Sequence, residues 1–200
     1  MIKKCNCIFS LFSILTIVVI GCSFSKPAPL KDGMHLRYKF KGMEEGHFCD
    51  LTFTKISNGN FEVTVDVPEE YISSEHFVKP HEKDGKIIVN KFMKKRSGKP
   101  LQIGTYGPLW LPSNKMEKGK NVGVDLIVGG VVSDKVENWN GWKVYIVEAS
   151  AFREAVSQTW YYEVETGFLV GSNAKTVISE MLSTDESPTM ILADSNIDVL

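Results

Sequence analysis

Phe48-Cys49-Asp50-Leu51-Thr52-Phe53, Ser57-Asn58-Gly59-Asn60 and Phe61-Glu62-Val63-Thr64-Val65-Asp66-Val67 follow one another along the chain. In the first and third segments apolar and polar residues alternate. Successive side chains of a strand point to opposite faces, so each segment buries one face and wets the other. Asn58-Gly59 suits a type I′ turn, because both residues tolerate positive φ, and predicts a hairpin between the two. Upstream, His35-Leu36-Arg37-Tyr38-Lys39-Phe40-Lys41 keeps the same alternation. Downstream, Trp139-Asn140-Gly141-Trp142 predicts a second Asn-Gly hairpin that brings two tryptophans together. Glu165-Thr166-Gly167 predicts a third turn, between Trp160-Tyr161-Tyr162-Glu163-Val164 and Phe168-Leu169-Val170.

Apolar runs bounded by turn residues predict further strands at 86–93, 122–128, 131–136, 142–149, 156–164, 168–178 and 189–193. Gly129-Gly130 is either a turn or a bend in one long strand. A single helix is expected over 68–78, with Pro68 at its start, Glu69 and Glu70 in its first turn and Pro80 beyond its end. The expectation is an all-β fold: a single antiparallel, strongly curled sheet of about ten strands, a half-barrel or barrel, with one short helix. Open edges invite aggregation, which is why closure or curling is expected.

The chain has 200 residues and 22.4 kDa, enough for one domain or two small ones. Its 23 basic and 24 acidic residues lack the basic excess of a nucleic-acid binder. With 24% charged and 43% apolar residues it is not a disordered chain. Residues 1–21 differ from the rest. Lys3 and Lys4 precede an uncharged stretch over 8–20, which as a helix rises only about 20 Å, short of a bilayer of about 30 Å. This is the pattern of a secretory signal peptide. Residues 22–32 contain two prolines and no periodicity and read as a tether. The β domain is expected over 33–200.

Val19-Ile20-Gly21-Cys22 resembles the lipobox of bacterial lipoproteins. The resemblance covers about 22 residues. It implies that the Cys22 thiol receives a diacylglycerol, that cleavage falls between Gly21 and Cys22, and that the new amino terminus is acylated. Palmitate-type chains would then hold the protein on a membrane, since two or three chains give the stable anchoring that one does not. Ser23 follows Cys22 where an Asp would signal inner-membrane retention. By resemblance to lipoprotein sorting, the destination is the outer membrane, facing the periplasm. Without Lys3 and Lys4 the 23 basic residues become 21 against 24 acidic, so net charge does not draw the domain to an anionic surface. The consecutive hairpins around 160–170 also resemble LolA/LolB-type half-barrel lipoproteins. Those proteins pack helices into a concave face, whereas this chain offers one short helix, and no residue role is carried over.

Cys5 and Cys7 leave with the signal and Cys22 is acylated, so Cys49 alone remains. It shares a strand face with Leu51 and Phe53, which makes it a buried, inert thiol. His76 and His81 stand five apart across Pro80 and do not match a metal-binding helix; His35 and His47 read as exposed. No nucleophile elbow or phosphate loop occurs. No catalytic residue, metal or cofactor is assigned, and the chain is not expected to be an enzyme. Residues 91–99 carry five positive charges, read as a solvated hairpin end that guards an edge, or as a patch for head groups or an acidic partner. Leu109, Trp110 and Leu111 lie between Pro108 and Pro112. They form either a loop that plugs the core or a ligand or contact loop. Two functions compete: a non-enzymatic module binding an apolar ligand or lipid, and an envelope interaction protein with a filled core.

Overall fold

The computed structural model describes residues 29–72, 86–102, 107–112, 116–123, 129–151, 156–176 and 189–197. They build ten strands: β1 (Met34–Phe40), β2 (Cys49–Lys55), β3 (Asn60–Asp66), β4 (Ile87–Asn90), β5 (Asn121–Gly123), β6 (Gly129–Trp139), β7 (Trp142–Ala151), β8 (Val156–Glu163), β9 (Leu169–Thr176) and β10 (Met190–Ser195). All belong to one antiparallel sheet in the order β4-β3-β2-β1-β10-β9-β8-β7-β6-β5. Strands consecutive in sequence are neighbours in the sheet, except β4 and β5, which form its opposite edges; the two halves are joined where β10 pairs with β1.

The hairpins form where the turn residues lie. Asn58 and Gly59 take φ of 64° and 69°, and Asn140 and Gly141 take 47° and 83°. Asn140-Gly141 is the two-residue turn that matches the twist of its strands, whereas Asn58 and Gly59 belong to a three-residue 3-10 loop, Ser57–Gly59, closed by Ile56 N donating to Asn60 O at 2.8 Å. Trp139 lies directly opposite Trp142. Gly129 and Gly130 stand inside β6, paired with Gly123 and Val122, so they are neither turn nor bend. The helix α1 covers Glu69–Ile72, and the rest of the expected helical stretch lies outside the described residues.

The expected barrel or strongly curled half-barrel needs correction. The ladder is open, with β4 and β5 as its edges. Its apolar face is covered by the chain's own loop rather than by the sheet closing on itself. Backbone bonds run from Leu101 N to Met93 O, from Leu109 N to Leu101 O and from Leu169 N to Leu109 O. This belt crosses the inner face from β4 to β9 and buries Met93, Leu101, Leu109, Leu111 and Met116. Beneath it lie Leu36, Tyr38, Leu51, Phe53, Trp160, Tyr162 and Phe168. Buried phenols need partners. Tyr38 donates to Leu169 O at 2.8 Å, joining β1 to β9, and Tyr162 to Pro108 O at 2.9 Å, tying the belt to the sheet. Burial pushes both phenols far above the usual tyrosine range. Gly107 leaves room for Trp160, because a Cβ there would stand 2.6 Å from the indole nitrogen.

Register fixes which features share an end of the sheet. Met34, Phe53, Val63 and Ile87 stand on one line across β1 to β4. The chain therefore enters β1 at the end where the β2–β3 turn lies and where β4 finishes at Asn90. β10 finishes there too, with Ser195 opposite Leu36. The turns after Glu163 and after Trp139 fall at the same end, as the pairings Met190↔Ser172, Tyr162↔Leu169 and Val144↔Glu163 require. We refer to this as the entry end.

Candidate functional site

Gly21 and Cys22 lie outside the described residues, as do His76 and His81. Leu109, Trp110 and Leu111 do not act alike. Leu109 and Leu111 are buried in the belt. Trp110 is half-exposed at its outer side, where its Nε1 donates to Thr166 O at 2.8 Å and its ring stacks on Phe92 at 6.2 Å between centroids. Phe92 is 38% exposed. The loop thus plugs the core through its leucines and presents its tryptophan to the surface. The physical reason is strand-like alternation: Trp110 bridges Phe168, and its side chain points away from the two neighbours that face inward.

Alternation in β1 to β3 aims His35, Arg37, Asp50 and Asp66 at the outer face. Asp50 accepts bonds from Arg37 Nε at 2.8 Å and Nη2 at 3.2 Å, and its Oδ1 lies 2.8 Å from His35 Nε2. Partial burial pushes the Asp50 carboxyl up, but hydrogen bonds and charge from Arg37 and His35 outweigh it and hold the group below its ordinary value. The same contact raises Arg37. The Arg37 guanidinium and the Lys39 ammonium both sit over the Phe48 ring. His47 meets the Tyr71 hydroxyl at 3.3 Å. Both histidines are half-buried and partnered, which corrects the expectation that they are exposed. Arg37, His47, Phe48, Asp50 and Asp66 line a shallow recess of about 320 Å³. Its chemistry is that of a polar contact surface: one charge-assisted cluster, with the carboxylate ionised at neutral pH.

β6 to β9 carry a different outer face. Trp139 stacks on Tyr161 at 4.2 Å with 8° between the planes. Gly171 makes this possible, since a Cβ there would stand 2.1 Å from the Trp139 ring. Val144 is fully buried on this face. Burial raises the Tyr161 phenol, and the charges of Glu137 and Glu148 add to it. Beside the patch, Asn140, Trp142, Lys143, Glu163 and Glu165 line a second open recess of about 410 Å³. Glu163 itself is buried and accepts from the backbone amides of Glu165 and Thr166, so it secures the turn.

Cys49 is buried, and burial, together with the charges of Asp50 and Asp66, pushes its thiol up to about 12. It is the inert thiol that its strand position implies. Among the described residues no three His, Cys, Asp or Glu side chains gather as a metal site, and no helix is long and apolar enough to cross a membrane. Sequence reasoning missed the Asp50 cluster and the Phe92–Trp110 pair. Opposite charges on one face of adjacent strands signalled the first; nothing local signals the second, whose members are joined only by the belt. The chain matches no protein-family model, no curated protein and no solved structure.

Proposed function

We propose that this chain is a lipid-anchored protein of the bacterial envelope that acts as a non-enzymatic interaction module through its surface. Val19-Ile20-Gly21-Cys22 supports the anchor, with cleavage after Gly21, acylation at Cys22 and, from Ser23, an outer-membrane position facing the periplasm. The observation that carries the choice of function is the belt. Leu101, Leu109, Leu111 and Phe168 occupy the face where an apolar ligand would have to lie. Contact through an outer face is then the reading that leaves the core intact. Direct carriage of lipoproteins is left out, because the belt stands where LolA/LolB-type proteins pack helices.

Native mass spectrometry of the acylated protein before and after organic extraction tests this. The expected mass is that of the chain from Cys22 with its acyl groups and nothing more. A stoichiometric extra lipid, lost on extraction, would establish the apolar-ligand reading instead. Photo-crosslinkers placed in living cells at Thr64 on the outer face should capture a discrete partner, and those placed at Leu109 should not. For the anchor itself, Cys22→Ala should abolish acyl labelling; label retained in that variant refutes the lipobox.

A further inference from the structure

The geometry points to a second membrane contact: the entry end of the sheet is a seat for anionic phospholipid, built from the basic hairpin at 91–99 and the Phe92–Trp110 pair. It deepens the proposed function, resting on the anchor to bring the domain to a bilayer. Three observations meet at this end.

The first is where the tether arrives. Residues 31–33 enter β1 here: Asp32 accepts from Lys55 N, and Gly33 N donates to Phe53 O. The seven residue-to-residue steps from Cys22 to Pro29 span at most about 25 Å. An acylated Cys22 therefore keeps this end within about 25 Å of the lipid.

The second is charge. β4 ends at Asn90, whose side chain accepts from the amides of Phe92 and Lys94, and the hairpin turns at this end. Lys91, Lys94, Arg96 and Lys99 are exposed and Lys95 half-exposed. Lys95 bridges Val89, so the hairpin also covers part of the β4 edge. Two acids at this end are engaged by backbone amides: Asp32 by Lys55 and Glu163 by Glu165 and Thr166. Glu165 stays exposed beside Trp142. Asp194, opposite Arg37, and Glu137 are also exposed toward this end, so the basic excess is that of the hairpin itself.

The third is the aromatic pair. Phe92 and Trp110 stack at the surface, and Lys91 Nζ stands 5.1 Å from the Phe92 ring centroid. A ring with an apolar body beside a long cationic stem is the combination that settles at head-group level. A basic acidic-protein site would not need the exposed rings. Lipid uses both.

The test uses the full acylated chain on phosphatidylcholine vesicles with or without phosphatidylglycerol, with brominated lipid as quencher. The Trp110 component is taken as the difference from Trp110→Phe. We expect it to be quenched on anionic vesicles, less so at high salt. Each cation near an anionic surface shifts the balance about fivefold, so Lys94→Gln, Arg96→Gln and Lys99→Gln together should move seated against unseated domain about a hundredfold and remove the quenching. An unchanged melting curve shows that the triple variant still folds. Quenching that survives the triple substitution, or no quenching on anionic vesicles, overturns the seat. So does protection of these lysines from acetylation in cells without quenching on vesicles, which assigns the patch to an acidic protein. A chain that fails to float with phosphatidylcholine vesicles refutes the anchor separately, and its flotation with anionic vesicles still reports on the seat.

Discussion

On the outer face of β1 to β3, Arg37 and His35 close on Asp50, and Thr52 and Thr64 pair across the strands. On the outer face of β6 to β9, Trp139 stacks on Tyr161 above Gly171 while Val144 is buried. Both regions turn the same kind of apolar side chain inward. The first holds its wet face with an ion cluster that exchanges with water, and such clusters contribute little. The second adds another apolar layer, so its strands are secured from both sides. Strand β7 (WKVYIVEASA) is accordingly apolar at positions of either parity, whereas β1 (MHLRYKF) alternates strictly. The comparison teaches that one sheet carries two kinds of surface, a polar one suited to transient contact and an aromatic one that stabilises the fold.

The largest effect should come from the inner layer that both regions share. Leu109→Ala removes a fully buried belt residue and should lower stability by about 2–5 kcal/mol in urea unfolding. Trp110→Ala, half-exposed beside it, should cost only about 1–2 kcal/mol. Equal losses would mean that the belt is not split into an inward and an outward side.

Gly171→Ala attacks the aromatic region alone. Its Cβ would meet the Trp139 ring, so about 1–3 kcal/mol should be lost, together with the near-ultraviolet dichroism of the stacked pair. Full retention of that signal would deny the second apolar layer. Hydrogen exchange sharpens the same point: amides of β7 and β8 should exchange more slowly than those of β1 to β3, and the reverse order would invert the comparison.

The smallest effect belongs to the ion cluster. Asp50 is held below its ordinary carboxylate value in the folded chain. Its contribution is therefore complete above the unfolded value, about 4, and fades as pH falls through the lower folded value. Asp50→Asn should flatten that acid limb of the stability curve and change little at neutral pH. A large loss at pH 7 would show that the polar face supports the fold as strongly as the aromatic one.

All ten strands overlap segments whose alternation or apolar run predicts them, β5 only at Val122 and Gly123 of the expected 122–128. The Asn-Gly turns were legible because their backbone demand is local to two residues. The candidate loop was legible only in part. Apolar residues between Pro108 and Pro112 signal that something must cover them, but which of Leu109, Trp110 and Leu111 faces inward depends on a partner 58 residues away, Phe168. The pairing of Trp139 with Trp142 followed from the turn, whereas the stacking of Trp139 on Tyr161 required β8 to lie beside β7 and Gly171 to lie beneath the ring.

Strand positions, turn chemistry and the buried state of Cys49 are short-range properties, written in side-chain alternation and in adjacent residues, and the sequence alone determined them. The open edges, the belt that fills the inner face, the locking of Arg37 and His35 on Asp50 and the gathering of the start of β1, the basic hairpin and the aromatic pair at one end were decided by tertiary structure. Each depends on which strands become neighbours and in what register, and register is a property of long-range pairing that no local segment carries.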